Sequence, residues 1–95
     1  MKGKPGTLRY EPSPAIAYRE IEGQVLVLLP RDPDLRTFNA SAAFVWKRLA
    51  RRTPLPRIVD ELAREFGIER VRAEADVLRF VRDMTRQGLL RKRLA

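Results

Sequence analysis

Apolar and polar positions divide the chain into an extended first part and a helical second part. Ile16 to Ile21 alternates roughly apolar and polar, and Gln24 to Leu29 is a continuous run of valine and leucine. Glu22 and Gly23 between them make a two-residue turn signal, so the spacing predicts a β-hairpin. Pro30 to Asp34, "PRDPD", breaks the second strand, and Leu35 to Phe38 reads as a short third strand. From Asn39 onward the apolar period changes from two to that of a helix.

Three helices are predicted. The first runs from about Ala40 to Arg51, capped by Asn39, with Ala42, Val45, Trp46 and Leu49 on its apolar face. Thr53 caps the second, Pro54 opens it, Ile58, Val59, Leu62 and Phe66 form its buried stripe, and Gly67 stops it. The third runs from about Arg70 to Gln87 and ends at Gly88. Val77, Phe80, Val81 and Met84 define its main apolar face, while Val71, Ala75 and Leu78 add a neighbouring strip wider than one contact face needs. That strip is either the edge of a broad buried stripe or the wall of a groove open to a ligand. Arg72, Asp76, Arg79, Asp83 and Arg86 occupy the remaining face at spacings that let opposite charges pair along the helix.

Strands followed by helices with tight turns indicate an α+β fold. Its expected form is a small winged helix-turn-helix-like domain, a three-stranded antiparallel sheet followed by three helices. Residues 1–14, with three prolines and two glycines, read as a flexible basic arm, residues 15–90 as the domain, and residues 91–95 as a basic tail.

Composition narrows the chemistry. Ninety-five residues suit one domain with a modest core. Cysteine and histidine are both absent, which removes disulfides, thiolate metal sites and the commonest general base together. No glycine-rich phosphate loop, nucleophile elbow or metal-ligand spacing occurs, so no catalytic residue, metal or cofactor is expected. No apolar run approaches a membrane span and no signal-peptide pattern opens the chain, so a cytoplasmic protein without a membrane partner is the expectation.

The formal net charge of +8 raises nucleic acid as a partner. The excess, however, sits in Lys2, Lys4 and Arg9, in Arg91, Lys92 and Arg93, and in a junction holding Lys47, Arg48, Arg51, Arg52 and Arg57. It does not run as a stripe along one face, and two acids interrupt the polar face of the third helix where phosphates would be repelled.

The run "FNASAAFVWKRLARRTPLPRIVDELAREFG", followed by "ADVLRFVRDMTRQGLL", resembles the PqqD family, which includes the leader-binding modules of ribosomally made, modified peptides (RiPP recognition elements). The matching positions are Phe38-Asn39, Ser41-Ala42-Ala43, Trp46, Leu49, Ile58, Leu62, Phe66, Asp76-Val77, Phe80, Met84 and Gly88-Leu89-Leu90, over roughly residues 16–90. The founding quinone-pathway proteins carry a "PEG" element where this chain has "PRDPDLRTFN", and Phe38 stands for the usual leucine. That departure points to a relative serving lasso-peptide or radical-SAM peptide modification.

The resemblance implies that a precursor's leader peptide adds as a strand beside the third strand and lies along the third helix. Leu35, Arg36, Thr37 and Phe38 would then offer the backbone edge, and Val71, Ala75 and Leu78 the pocket walls. Arg79 and Arg82 would attract acidic leader residues, and Asp76 would match a recurrent family aspartate. The implied partners are the leader peptide and a modifying enzyme such as a protease or radical-SAM protein. Two other readings stay open: a winged-helix nucleic-acid-binding protein, and a structural subunit that docks through its exposed strand.

Overall fold

The computed structural model describes residues 8–29 and 32–94. The first seven residues of the expected arm, and Pro30 and Arg31 of the expected break, lie outside them. The elements are β1 (Leu8–Pro12), β2 (Ala17–Ile21), β3 (Gln24–Leu29), β4 (Asp32–Thr37), α1 (Ala40–Ala50), α2 (Leu55–Phe66), α3 (Arg70–Arg86) and β5 (Leu90–Leu94). The α+β class, with three helices and antiparallel strands, is as expected. Strands β2, β3 and β4 form one antiparallel sheet in that order, and β1 pairs with β5 in a separate two-stranded ribbon.

The hairpin joining β2 to β3 turns at Glu22 and Gly23, whose φ angles of 50° and 82° are both positive. This is the geometry in which a two-residue loop follows the twist of its strands. Strand β4 then pairs with β3 through Leu26↔Thr37, Val27↔Arg36 and Leu28↔Leu35, with an irregularity at Leu29. Pro33 is tolerated in β4 because the strand lies at a sheet edge, where a missing N–H breaks no ladder on the outer side.

Asn39 caps α1 as the sequence indicates: its Oδ1 accepts from the Ala42 N–H at 2.9 Å and from Ser41 Oγ at 3.1 Å. The expected Thr53 cap of α2 is not formed. Pro54 is the N-cap, with no side-chain hydrogen bond, and Pro56 lies in the first turn, where its missing N–H would be unpaired in any case. All three helices end in the same reverse turn. After α2 and α3 the left-handed residue is Gly67 or Gly88, but after α1 it is Arg52, with φ 63°. There Arg52 N–H bonds Leu49 C=O and Thr53 N–H bonds Arg48 C=O, each at 3.0 Å.

The core joins Val25 and Val27 of β3 to Val45, Trp46 and Leu49 of α1, Ile58 and Leu62 of α2, Val77 and Val81 of α3, and Leu89 and Leu90. Trp46 is fully buried and meets Tyr18 edge-on at 5.2 Å between ring centroids. Its indole N–H has no hydrogen-bond partner among the described residues. Burying a large apolar side chain of this kind is worth about 1.5–3 kcal/mol, so these contacts hold the sheet against the helices.

Within the described residues, the expected arm and basic tail include two strands. Leu8–Pro12 and Leu90–Leu94 are paired strands, Tyr10 packs on the core, and Glu11 receives Arg91 Nε at 2.7 Å and Arg93 Nη1 at 3.4 Å. Cross-strand charge pairs and a shared apolar anchor thus order segments that look like linkers locally.

Candidate functional site

Among the described residues β4 pairs only with β3, so its other edge is open. The direction of its backbone groups follows from the ladder. Phe38 N–H donates to Val25 C=O at 3.2 Å, which makes Leu26↔Thr37 a pair without mutual hydrogen bonds. Alternation along an antiparallel pair therefore turns the N–H and C=O of Leu35 and Thr37 outward, while those of Arg36 face β3. Pro33 has no N–H to offer. Leu35 and Thr37 thus present two donors and two acceptors to an incoming strand. Of Leu35 and Arg36 only the backbone falls within the description.

Phe38 corrects one expectation. It lies just beyond β4 and turns into the protein, 5.4 Å from the Trp46 ring and 5.5 Å from that of Phe80 on α3. Its packing ties the end of the edge strand to α3, and its N–H, expected to belong to the open backbone edge, donates to Val25 C=O. Immediately after it, a concavity of about 310 Å³ opens between the start of α1 and one face of α3. Asn39, Ser41, Ala42 and Val45 form one wall, Asp76, Arg79, Phe80 and Asp83 the other, and Leu62 of α2 closes it. Apolar carbon from Val45, Leu62 and Phe80 meets polar groups at the rim, a combination suited to a peptide side chain.

The charges on this face are largely committed. Asp76 lies 3.7 Å from Arg72 and 3.9 Å from Arg79, the pairing along the helix that its spacing indicates. Asp76 is thus shared between two arginines, and Arg79 faces the concavity with its side chain 68% exposed.

Residues expected to share one groove are divided between two faces of α3. Asp76 and Arg79 border the concavity beside β4. Leu78 and Arg82 border another, of about 440 Å³, between α3 and the β1–β5 ribbon, together with Tyr10, Val81, Thr85, Arg86 and Lys92. Val71 is 79% exposed, Leu78 43%, and Ala75 is exposed as well, so the second apolar strip of α3 is not a margin of the core. The helical step explains the division: positions 71, 75, 78 and 82 follow one stripe, and 72, 76, 79 and 83 another about 100° around the axis. Sequence spacing reveals both stripes but not which one the sheet edge approaches.

Two of the five cations in the basic junction after α1 are engaged, while the side chains of Arg51, Arg52 and Arg57 have no hydrogen bond or ion pair among the described residues. Lys47 Nζ donates to Gly23 C=O at 3.0 Å, and Arg48 Nε bonds Glu61 at 2.6 Å while its guanidinium lies 3.5 Å above the Phe44 ring. Phe44 also meets Phe66 edge-on at 5.6 Å. Among the described residues no cluster of acidic groups could hold a metal ion, and no helix is long and apolar enough to cross a membrane.

Two solved structures share this architecture. One is described as TbiB1 in complex with the TbiA(beta) leader peptide: TM-score 0.77, 24% identity, 84% of this chain and 93% of the other covered. The second is described as lasso peptide synthetase B1 complexed with the leader peptide: TM-score 0.78, 22% identity, 87% of this chain and 98% of the other covered. No curated protein matches the chain. The family described as Coenzyme PQQ synthesis protein D (PqqD) matches residues 24–90, which span β3, β4, the three helices and the Leu89-Leu90 anchor. By that match, over well more than half of its length, the chain belongs to the PqqD family.

Proposed function

We propose that the protein binds the leader region of a ribosomally made precursor peptide as an added strand on β4 and presents it to a modifying enzyme, with no catalytic step of its own. The observation that carries this reading is the open β4 edge, with the backbone groups of Leu35 and Thr37 turned outward, followed at Asn39 by the Val45–Leu62–Phe80 concavity. Backbone pairing supplies affinity that is indifferent to sequence, and the concavity selects a side chain of the guest. Leader peptides named with the two similar structures support the same assignment, as does family membership. Within this reading the enzyme is a lasso-pathway protease or a radical-SAM protein, and the hairpin and helices act as a winged-helix-type frame for the edge.

The test is titration of the full chain into a fluorescently labelled synthetic leader from the precursor encoded beside it, followed by anisotropy. Saturable binding that changes little between low and high salt is expected, because strand addition and apolar contact release few counterions. Absence of binding at peptide concentrations on the order of 100 μM would overturn the proposal. Capture of a nucleic-acid oligomer with a steep salt dependence, in place of leader binding, would also overturn it.

A further inference from the structure

The face of α3 that turns away from β4 has features the leader site does not use. Val71, Ala75 and Leu78 form an exposed apolar strip over its first half, and Arg82 and Arg86 continue the same face toward the C-terminus. Lys92 of β5 stands across the 440 Å³ concavity from them, with Tyr10, Leu78 and Val81 among its lining residues.

Convergence sets the cations of this face apart. Arg48, Arg70, Arg72, Arg79, Arg91 and Arg93 all have carboxylate partners. Arg82, Arg86 and Lys92 have no hydrogen bond or ion pair among the described residues, although they converge on one depression. Arg19, Arg51, Arg57 and Arg64 also lack an ion pair among the described residues, but none of them lines this concavity. Three like charges beside exposed leucine and valine make a surface that lowers its free energy by meeting carboxylates next to apolar side chains.

Resting on the leader-binding reading, we infer that this face is a second docking surface, taken by the modifying enzyme through an acidic segment with apolar residues. Its apolar side chains cover Val71, Ala75 and Leu78, and its carboxylates meet Arg82, Arg86 and Lys92. Charge complementarity selects this occupant, because a guest without carboxylates leaves the three cations facing apolar surface unpaired. The division of α3 into two faces gives the arrangement its use: the leader and the enzyme are held at once, on either side of one rigid helix.

The experiment uses the full chain, the labelled synthetic leader, and the purified protease or radical-SAM enzyme encoded beside it, each titrated separately. Arg82→Glu/Arg86→Glu is expected to weaken enzyme association by about tenfold or more, and Arg82→Gln/Arg86→Gln by less, with leader affinity held within about twofold in both. Leu78→Ser is expected to weaken enzyme association without changing its salt dependence. Circular dichroism and melting curves establish that each variant is folded. Undiminished enzyme association in the folded charge-reversed variant overturns the inference, and so does failure of the wild-type chain to bind the enzyme. Equal loss of leader and enzyme binding overturns it as well, because the face would then belong to the leader site. Loss of binding to a DNA or RNA oligomer, with enzyme association unchanged, would reassign the cations to nucleic acid. Failure of the leader reading itself is seen separately, in the wild-type leader titration.

Discussion

Thr37→Pro separates the use of the β4 edge from its structure. Because Thr37 belongs to the pair without mutual hydrogen bonds, its N–H points away from β3, and proline there removes no bond of the existing ladder. Edge strands accept proline for this reason, and β4 already holds Pro33. An added leader strand loses one donor, a net hydrogen bond of about 1 kcal/mol, or about fivefold in affinity. The ring also occupies space that a neighbouring strand needs at about 4.8 Å, so fivefold is a lower bound. Arg36→Pro is the control. The Arg36 N–H faces β3, so its loss leaves the Val27 carbonyl unpaired at about 1–3 kcal/mol, or some 4–8 °C of melting temperature per kcal/mol in a domain of this size. Leader anisotropy and thermal melting on both variants give the comparison. The expected pattern is a small melting shift with weak binding for Thr37→Pro, and a large melting shift for Arg36→Pro. A folded Thr37→Pro protein that binds leader with unchanged affinity would refute the strand-addition geometry.

Three further outcomes concern stability. Arg52→Gly relieves a left-handed residue costing about 1–2 kcal/mol, against about 0.4–1 kcal/mol of added chain entropy, for a net gain of about 0.5–1 kcal/mol. Differential scanning calorimetry should show a rise of a few degrees, and Arg52→Ala, which keeps a Cβ, should show none. Asn39→Ala removes the cap of α1 and should cost about 1 kcal/mol in urea titration, with the helices of the other variants as reference. The Glu11 carboxyl is held below its ordinary value of 4.5, first by the Arg91 hydrogen bond and then by the charges of Arg91 and Arg93. A depressed folded-state pKa contributes stability above the ordinary value and loses it as pH falls through the depressed one. The melting difference between wild type and Glu11→Gln should therefore be full near neutrality, shrink below about pH 4.5 and vanish in stronger acid. A difference independent of pH would show that the ribbon draws nothing from this pair.

Local signals carried much of this architecture. The Glu22-Gly23 turn, the Asn39 cap, the Gly67 and Gly88 stops and the stripe Ile58–Val59–Leu62 each depend on a few adjacent residues and are found where the sequence puts them, whereas Phe66, expected in the same buried stripe, is exposed at the end of α2. The β1–β5 ribbon was hidden because its evidence is a pairing between segments far apart, each full of residues typical of linkers. Thr53 misled because a second proline, Pro56, takes the first-turn role assigned to Pro54. In the site, the open edge was legible as a short strand that is welded to a helix. The division of α3 was not, because periodicity ranks positions around a helix without saying which neighbour stands opposite each. Arg86, placed by spacing in the self-paired row, instead lines the far concavity.

The ribbon also imposes an order in time. Glu11 and Arg91 stand 80 positions apart, so β1 has no strand to pair with until nearly all the chain between them is in place. Closing such a loop from an unstructured chain costs about 2 kcal/mol more than closing a hairpin-sized one of about ten residues. Once sheet and helices have packed, most of that cost has already been met, and β1 can zip onto β5 as a sealing step.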